Sequence, residues 1–183
     1  MNWNRLLIDA STFTREGRFD RADADLKELS LLLESGVSDV DTRVFAEAYT
    51  AELALAQADL ESARRHRDKF LELADYGAQQ PHRALPSALL VAARIALVEG
   101  AATDAERFAG DALLLAQAKA RGPDTSADVG EALLRIAQAR LLANAGADVR
   151  STLERADRCL TNGLDANHPL TLEARRLVKR PPG

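Results

Sequence analysis

Cysteine, methionine and tryptophan occur once each, and aromatic residues make up only 4% of the chain. A lone Cys159 cannot close an intrachain disulfide, which fits a reducing compartment and a fold held by packing alone. The β-branched and aromatic residues that favour strands are scarce, so a sheet protein is not expected. No apolar run approaches the ~20 residues of a membrane-spanning helix. The opening MNWNRLLIDAST lacks the apolar core and cleavage pattern of a secretory signal. Positive charge is not in excess: 24 Lys+Arg face 28 Asp+Glu, for a net charge of −4 and a pI near 5.5. That balance lacks the basic stripe of a nucleic-acid-binding protein. The expectation is a cytoplasmic chain that engages neither nucleic acid nor membrane.

Alanine and leucine are abundant instead, and both are strong helix formers. The 183 residues suit one domain with a real core. Gly17, Gly36, Gly77, Gly100, Gly122, Gly146 and Gly163 each follow a stretch of helical periodicity, the usual place for a residue just past a helix end. Only Gly110, Gly130 and Gly183 fall outside that pattern. Thr103 with Glu106, and Ser151 with Glu154, have capping-box spacing. Asp20 and Asp59 stand where N-caps are expected, and Pro86 and Pro169 where a first turn tolerates proline. These signals predict an all-α chain with helices near 2–16, 20–35, 41–57, 60–76, 86–99, 104–121, 126–145, 151–162 and 168–180. The stretch from Gly77 to Leu85 reads as a longer loop between helix pairs.

The segments opening alternate helices align with one another: EGRFDRA at 16–22, QADLESA at 57–63, EGAATDA at 99–105 and NAGADVRST at 144–152. Ala22, Ala63, Ala105 and Thr152 then recur at spacings of 41, 42 and 47 residues. Such a period marks a stacked helical array, because one Ala-rich helix pair cannot bury its apolar face alone. A small residue also recurs in the preceding helices, as Ala10, Ala51, Ala93 and Ala139. Three places later stand Phe13, Ala54, Ala96 and Leu142.

On these residues the chain resembles the tetratricopeptide repeat (TPR) family. The run Gly17-Arg18-Phe19-Asp20-Arg21-Ala22 is similar to that family's turn. Asn167-His168-Pro169-Leu170-Thr171-Leu172-Glu173-Ala174-Arg175 and Gly122-Pro123-Asp124 resemble the longer repeats of kinesin light chains and bacterial signalling proteins, which run about 42 residues instead of 34. The resemblance implies a right-handed superhelical array, a TPR-like α-solenoid, in a single domain over 1–183. It would hold about four antiparallel pairs, at 2–36, 41–77, 86–122 and 126–163, and a C-terminal capping helix at 168–180. Arg175, Arg176, Lys179 and Arg180 would give that cap a polar outer face. The family's signature Trp and Leu are missing. Their places hold Leu6 and Asp9, Glu47 and Thr50, Leu89 and Ala92, and Arg135 and Gln138. The fourth repeat lacks the turn alanine and carries an insertion.

Chemistry-bearing patterns are few. His66, His82 and His168 have no metal-ligand spacing. His168 precedes Pro169 as a helix cap, and His66 lies in the charged run 64–69, read as a solvated face. Cys159 takes a small packing place and reads as an inert buried thiol. Asp20, Asp23 and Asp25 crowd a helix start, where anions favour the positive end of the helix dipole. No phosphate loop, nucleophile elbow or CxxC occurs. The expectation is no catalytic residue, no metal and no cofactor.

What remains is binding. The resemblance implies a concave groove lined by the first helix of each pair, holding an extended or helical peptide. Carried over residue by residue, its positions are Asn4, Leu7, Ser11 and Arg15; Phe45, Ala48, Tyr49 and Glu52; Ser87, Leu90, Arg94 and Leu97; and Leu133, Ile136, Arg140 and Asn144. Ser11, Glu52, Arg94 and Arg140 stand where the chaperone-tail clamp of the family has Asn, which speaks against chaperone tails as ligands. Arg94 and Arg140 occupy equivalent places and could hold carboxylates bidentately, or each could pair with an acid of an adjoining helix. The partner implied is a protein or peptide with acidic side chains and apolar anchors, the chain acting as an adaptor. The alternative is an oligomeric scaffold or assembly factor using the array ends and the convex face. Trp3, either folded over the first pair or exposed as an anchor, bears on a homodimer through those ends.

Overall fold

The computed structural model describes residues 3–36, 39–74, 83–120, 122, 124–144 and 148–179. Gly77, His82, Pro123, Gly146, Arg180 and Gly183 lie outside these. The described residues form nine α-helices and no strand. They are α1 (Trp3–Arg15), α2 (Phe19–Glu34), α3 (Val40–Ala56), α4 (Leu60–Leu73), α5 (Leu85–Val98), α6 (Ala102–Lys119), α7 (Ala127–Leu142), α8 (Val149–Gly163) and α9 (Pro169–Val178). Each coincides, within a few residues, with a helix predicted from periodicity and turn residues.

The chain divides into two compact units, Met1–Val91 and Ala92–Gly183. In the first, α1 packs on α2 and α3 on α4, while α3 also meets α1 and α2. In the second, α6 packs on α7, α7 on α8, and α8 on α9. The small residues of the repeat lie where close helix approach needs them. Ala10, Ala22, Ala51, Ala63, Ala93, Ala105 and Ala139 are all fully buried. The core of the first unit gathers Leu6, Leu7, Leu26, Leu29, Ala46 and Leu53, with Trp3, Phe13 and Phe45 packed against it at partial burial. Trp3 therefore folds over the first pair. In the second unit Val129, Leu134, Leu153, Cys159, Leu160 and Ala174 form the core.

The turns inside the pairs are built alike. Gly17, Ala58 and Gly100 take positive φ of 73°, 61° and 75°. The residue after each donates its N–H to the carbonyl five residues back: Arg18 to Phe13 at 2.8 Å, Asp59 to Ala54 at 2.9 Å, Ala101 to Ala96 at 2.9 Å. This is a Schellman closure. Positive φ suits glycine at two of the places, and Ala58 adopts it at a cost. In the fourth repeat Asn144 takes φ 54°, yet α8 starts only at Val149, later relative to its turn than α2, α4 and α6. The insertion thus lies in the turn. Thr152 still stands fourth in α8, as Ala22, Ala63 and Ala105 stand fourth in their helices.

These turns move helix starts ahead of the expected caps. Arg18 is the N-cap of α2 and Ala101 that of α6, neither with a side-chain cap bond. Asp20 and Thr103 are already helical, so the Thr103–Glu106 capping box does not form. Ser151 likewise lies inside α8 and donates to the Asp148 carbonyl at 3.0 Å. Asp59 does cap α4, accepting from the Ser62 N–H at 3.0 Å. His168 caps α9 ahead of Pro169, its ring accepting from the Leu170 N–H at 3.3 Å.

Two glycines serve close approach instead of a turn. A Cβ on Gly130 would lie 2.7 Å from Leu160 Cγ and 2.9 Å from its backbone nitrogen, so α7 sits tightly on α8. A Cβ on Gly163 would lie 2.5 Å from the Ala127 nitrogen. Gly163 is therefore the last residue of α8, not a residue beyond it. Helix α9 is clasped to α8 by Arg175, which donates to Asp157 at 2.8 Å, to Thr161 at 3.0 Å and to the Ala166 carbonyl at 3.0 Å. Arg175 thus leaves the polar outer face expected of the cap, whereas Arg176 and Lys179 are exposed.

Candidate functional site

In the first unit α1 and α3 bring together five of the residues predicted for a groove. The rings of Phe45 and Tyr49, one helical turn apart on α3, stack with centroids 6.3 Å apart and planes 18° from parallel. The Tyr49 phenol is pushed above its ordinary range by burial first and by the Glu52 carboxylate second; Arg15 and a hydrogen bond with the Ser11 side chain pull the other way. Arg15 also donates from Nε to the Ser11 carbonyl at 3.3 Å. The outcome is an aromatic pair, partly exposed, fringed by a hydroxyl, a cation and a carboxylate. Asn4 on α1 is exposed.

In the second unit Arg140 donates from Nε to Glu106 Oε1 of α6 at 2.7 Å. The arginine side chain is 33% exposed and the glutamate 43%. Arg140 is therefore already paired with an acid of an adjoining helix. Arg94 is likewise engaged by other groups of the chain. Leu97 is half-buried, and Asn144 is exposed at the turn after α7. Leu90 and Ile136 are buried, at 5% and 7% exposure.

Two polar networks occupy places that the sequence marks only as missing signature residues. Glu47 on α3 takes bonds from His66, with Nδ1 to Oε2 at 2.7 Å, and from Lys69 on α4. Burial pushes the Glu47 carboxyl up, but the bonds from His66 and Lys69 outweigh it and hold it below the usual range. His66 is thus half-buried and partnered, not part of a solvated face. Arg135 on α7, its side chain only 8% exposed, bonds Glu131 at 3.0 Å, Gln138 at 3.0 Å and Glu173 of α9 at 3.5 Å, while Gln138 donates to Glu173 at 2.7 Å. The Glu131/Arg135 spacing of four and the Arg135/Gln138 spacing of three were the local signals of this network.

Reactive groups are quiet. Burial first, then the Asp124 carboxylate, push the Cys159 thiol up to about 11. Its Sγ donates to Asp124 Oδ1 at 3.6 Å. Such a thiol carries almost no nucleophilic thiolate at neutral pH. Asp124 also meets Arg155 at 3.3 Å, and its carbonyl accepts from Asn162 at 3.0 Å, fastening the loop before α7 to α8. Among the described residues no group of three His, Cys, Asp or Glu is placed to hold a metal ion. No described helix is long and apolar enough to cross a membrane.

No protein-family model matches this chain, and no curated protein does. Solved structures match. One is a crystal structure of nearly identical TPR-like repeats from a kinesin light chain-type protein of Podospora anserina, with a TM-score of 0.69 at 14% identity over 96% of this chain and 82% of that one. The chain therefore has the TPR-like helical-repeat fold. Arrays of this kind generally serve protein interaction and are typically without catalytic chemistry.

Proposed function

We propose that the chain is a non-catalytic interaction module whose first-helix faces hold a partner peptide or helix. The observation that carries this reading is the Phe45–Tyr49 pair with Ser11, Arg15 and Glu52 around it. Half-exposed aromatics flanked by polar groups are the composition of an interface anchor. In the second unit Leu97 and Asn144 would contact the ligand. Arg140 would do so by exchanging Glu106 for a ligand carboxylate, with Arg94 at the equivalent place. The ligand class is then a segment with apolar anchors and acidic side chains, and the role that of an adaptor in the cytoplasm.

The test is fluorescence anisotropy with an array of labelled peptides. Acidic, leucine-bearing peptides should bind, and their lysine-substituted counterparts should not. Phe45→Ala/Tyr49→Ala should weaken binding about tenfold or more, and Arg94→Glu/Arg140→Glu should do so for the acidic peptides alone, each variant checked for folding by circular dichroism. Equal binding by all variants would end this reading. A scaffold joined through α1 and α9 has the exposed Ile8 (65%) and Leu172 (50%) in its favour; Ile8→Asp and Leu172→Asp would then dissolve the assembly and leave peptide binding intact.

A further inference from the structure

Helix α9 is built as a first helix of the array, and no second helix lies on it among the described residues. Its cap, His168, stands 42 residues after Ser126, the cap of α7. At that spacing Val129 and Ala132 of α7 correspond to Thr171 and Ala174 of α9, and all four are fully buried. The other face differs. On α7 it holds Gly130, Leu134 and Ala137, closed off by α8. Gly130 presses on Leu160, and Leu134 and Ala137 share a core with Leu153 and Ala156. The corresponding residues of α9 are Leu172, Arg176 and Lys179, and all three are exposed. They follow one another at four and three residues, so they form one stripe along the helix. The bed that α8 occupies on α7 is thus open on α9.

That bed is firm and has a distinct chemistry. On its inner side α9 is seated by Leu170, Leu177 and Val178 against the core of the second unit. Leu172 is 50% exposed. Among the described residues neither Arg176 nor Lys179 meets an acid, whereas Arg175 beside them is spent on Asp157. These cations stand where α7 has Leu134 and Ala137. An apolar second helix laid here would bury two unanswered charges, which is costly. An acidic one would answer them.

We propose that the outer face of α9 is the docking site for an amphipathic helix of a partner protein, acidic and with one apolar anchor. On α7 the partner helix runs antiparallel, since Gly163 at the end of α8 meets Ala127 at the start of α7. A helix lying on α9 in that sense meets Lys179 first, then Arg176, then Leu172. Its acids therefore stand seven and four residues before its apolar residue, near its N-terminus, where the helix dipole also favours them. The two ion pairs set orientation and the choice of partner, and cover of Leu172 adds apolar burial. The small area puts dissociation at roughly 10–100 µM. The inference does not depend on the peptide-binding reading, because α9 carries none of the residues assigned there.

Fluorescence anisotropy tests it with the full chain and a labelled alanine-based helical peptide bearing two Glu residues seven and four positions before a Leu. The control peptide has Lys at both Glu positions. Wild type should bind the first in that concentration range and the control about tenfold or more weakly. Arg176→Glu/Lys179→Glu should reverse the order, and Leu172→Asp should weaken binding of the acidic peptide. Each variant should keep the circular dichroism and urea midpoint of wild type, since all three side chains are exposed. Absence of binding by wild type would overturn the proposal. So would a preference unchanged by the charge reversal, or binding lost through Phe45→Ala/Tyr49→Ala, which alter the other surface. Self-association of wild type that Leu172→Asp dissolves would seat a second copy on this face and overturn it equally.

Discussion

Glu47 in the first unit and Arg135 in the second stand at the same place in their repeats, and they solve one problem with opposite charges. The equivalent places in the other two repeats hold Leu6 and Leu89, both buried. Burying an ion there is tolerable only when its neighbours answer it. Glu47 is answered by His66 and Lys69 from the next helix. Arg135 is answered by Glu131 one turn earlier, by Gln138, and by Glu173 from α9. The array therefore needs this place filled and any charge there answered, not filled by a particular residue, and the repeat can lose its signature without losing its fold.

The largest break in this comparison should come from Arg135→Ala. It empties a buried volume, leaves Glu131 and Glu173 without their cation, and takes the donor from the Gln138 side-chain oxygen, so a loss of about 2–3 kcal/mol is expected. Urea unfolding followed by circular dichroism measures it. A loss under about 1 kcal/mol would mean that water already serves the network.

Glu47→Gln should cost less, about 1–2 kcal/mol at neutral pH, since the amide keeps the volume and part of the bonding. The sign of its pH dependence is fixed. The Glu47 carboxyl is held below its usual range, so its contribution is complete above that range and fades as pH falls through its lowered value. The gap between wild type and Glu47→Gln in urea midpoint should thus close on acidification. A gap that persists at the acid end would assign the cost to packing.

The helices were legible because alanine, leucine and turn glycines repeat along one stretch of chain. The two networks were not, because their members are far apart in sequence: Glu47 and His66 by 19 residues, Arg135 and Glu173 by 38. Read singly, His66 looked solvated and Arg135 merely anomalous. The caps at Thr103 and Ser151 failed for a different reason. The backbone closure after Gly100 starts α6 ahead of Thr103, and α8 is already helical from Val149, two residues ahead of Ser151. Of the candidate groove, the Ser11–Tyr49 proximity was legible from register alone, whereas the Arg140–Glu106 pair needed the packing of α6 on α7.

The comparison extends to Asp25, which stands in α2 where His66 stands in α4. There the facing place holds Leu6, not Glu47, and the pull of Arg5 and Arg21 on the carboxyl is outweighed. Asp25 Oδ2 is buried with no hydrogen-bond partner. Burial first, then Asp9 and Glu28, push its carboxyl above the usual range. Asp25→Asn should therefore stabilise the chain by about 1 kcal/mol at neutral pH. A raised carboxyl costs stability above its titration and returns it below, so the advantage of the variant should shrink as pH falls. An unchanged or lower urea midpoint for Asp25→Asn at pH 7 would refute the reading.

The smallest effect tests the turns that set the register of both units. Ala58 takes the φ of 61° that Gly17 and Gly100 take at the same place, and its closing bonds are as short as theirs. The turn thus forms against a side chain that disfavours it. Ala58→Gly removes that penalty but frees the unfolded chain, and the two terms partly cancel. The net gain should be about 0.5 kcal/mol, against a loss of about 1 kcal/mol for Gly17→Ala or Gly100→Ala. Thermal melts of the three variants side by side would read the turn directly. If Ala58→Gly failed to stabilise while both glycine substitutions cost the expected amount, the alanine turn would owe its conformation to packing around α3 and α4, and the three closures would be alike in geometry but not in cause.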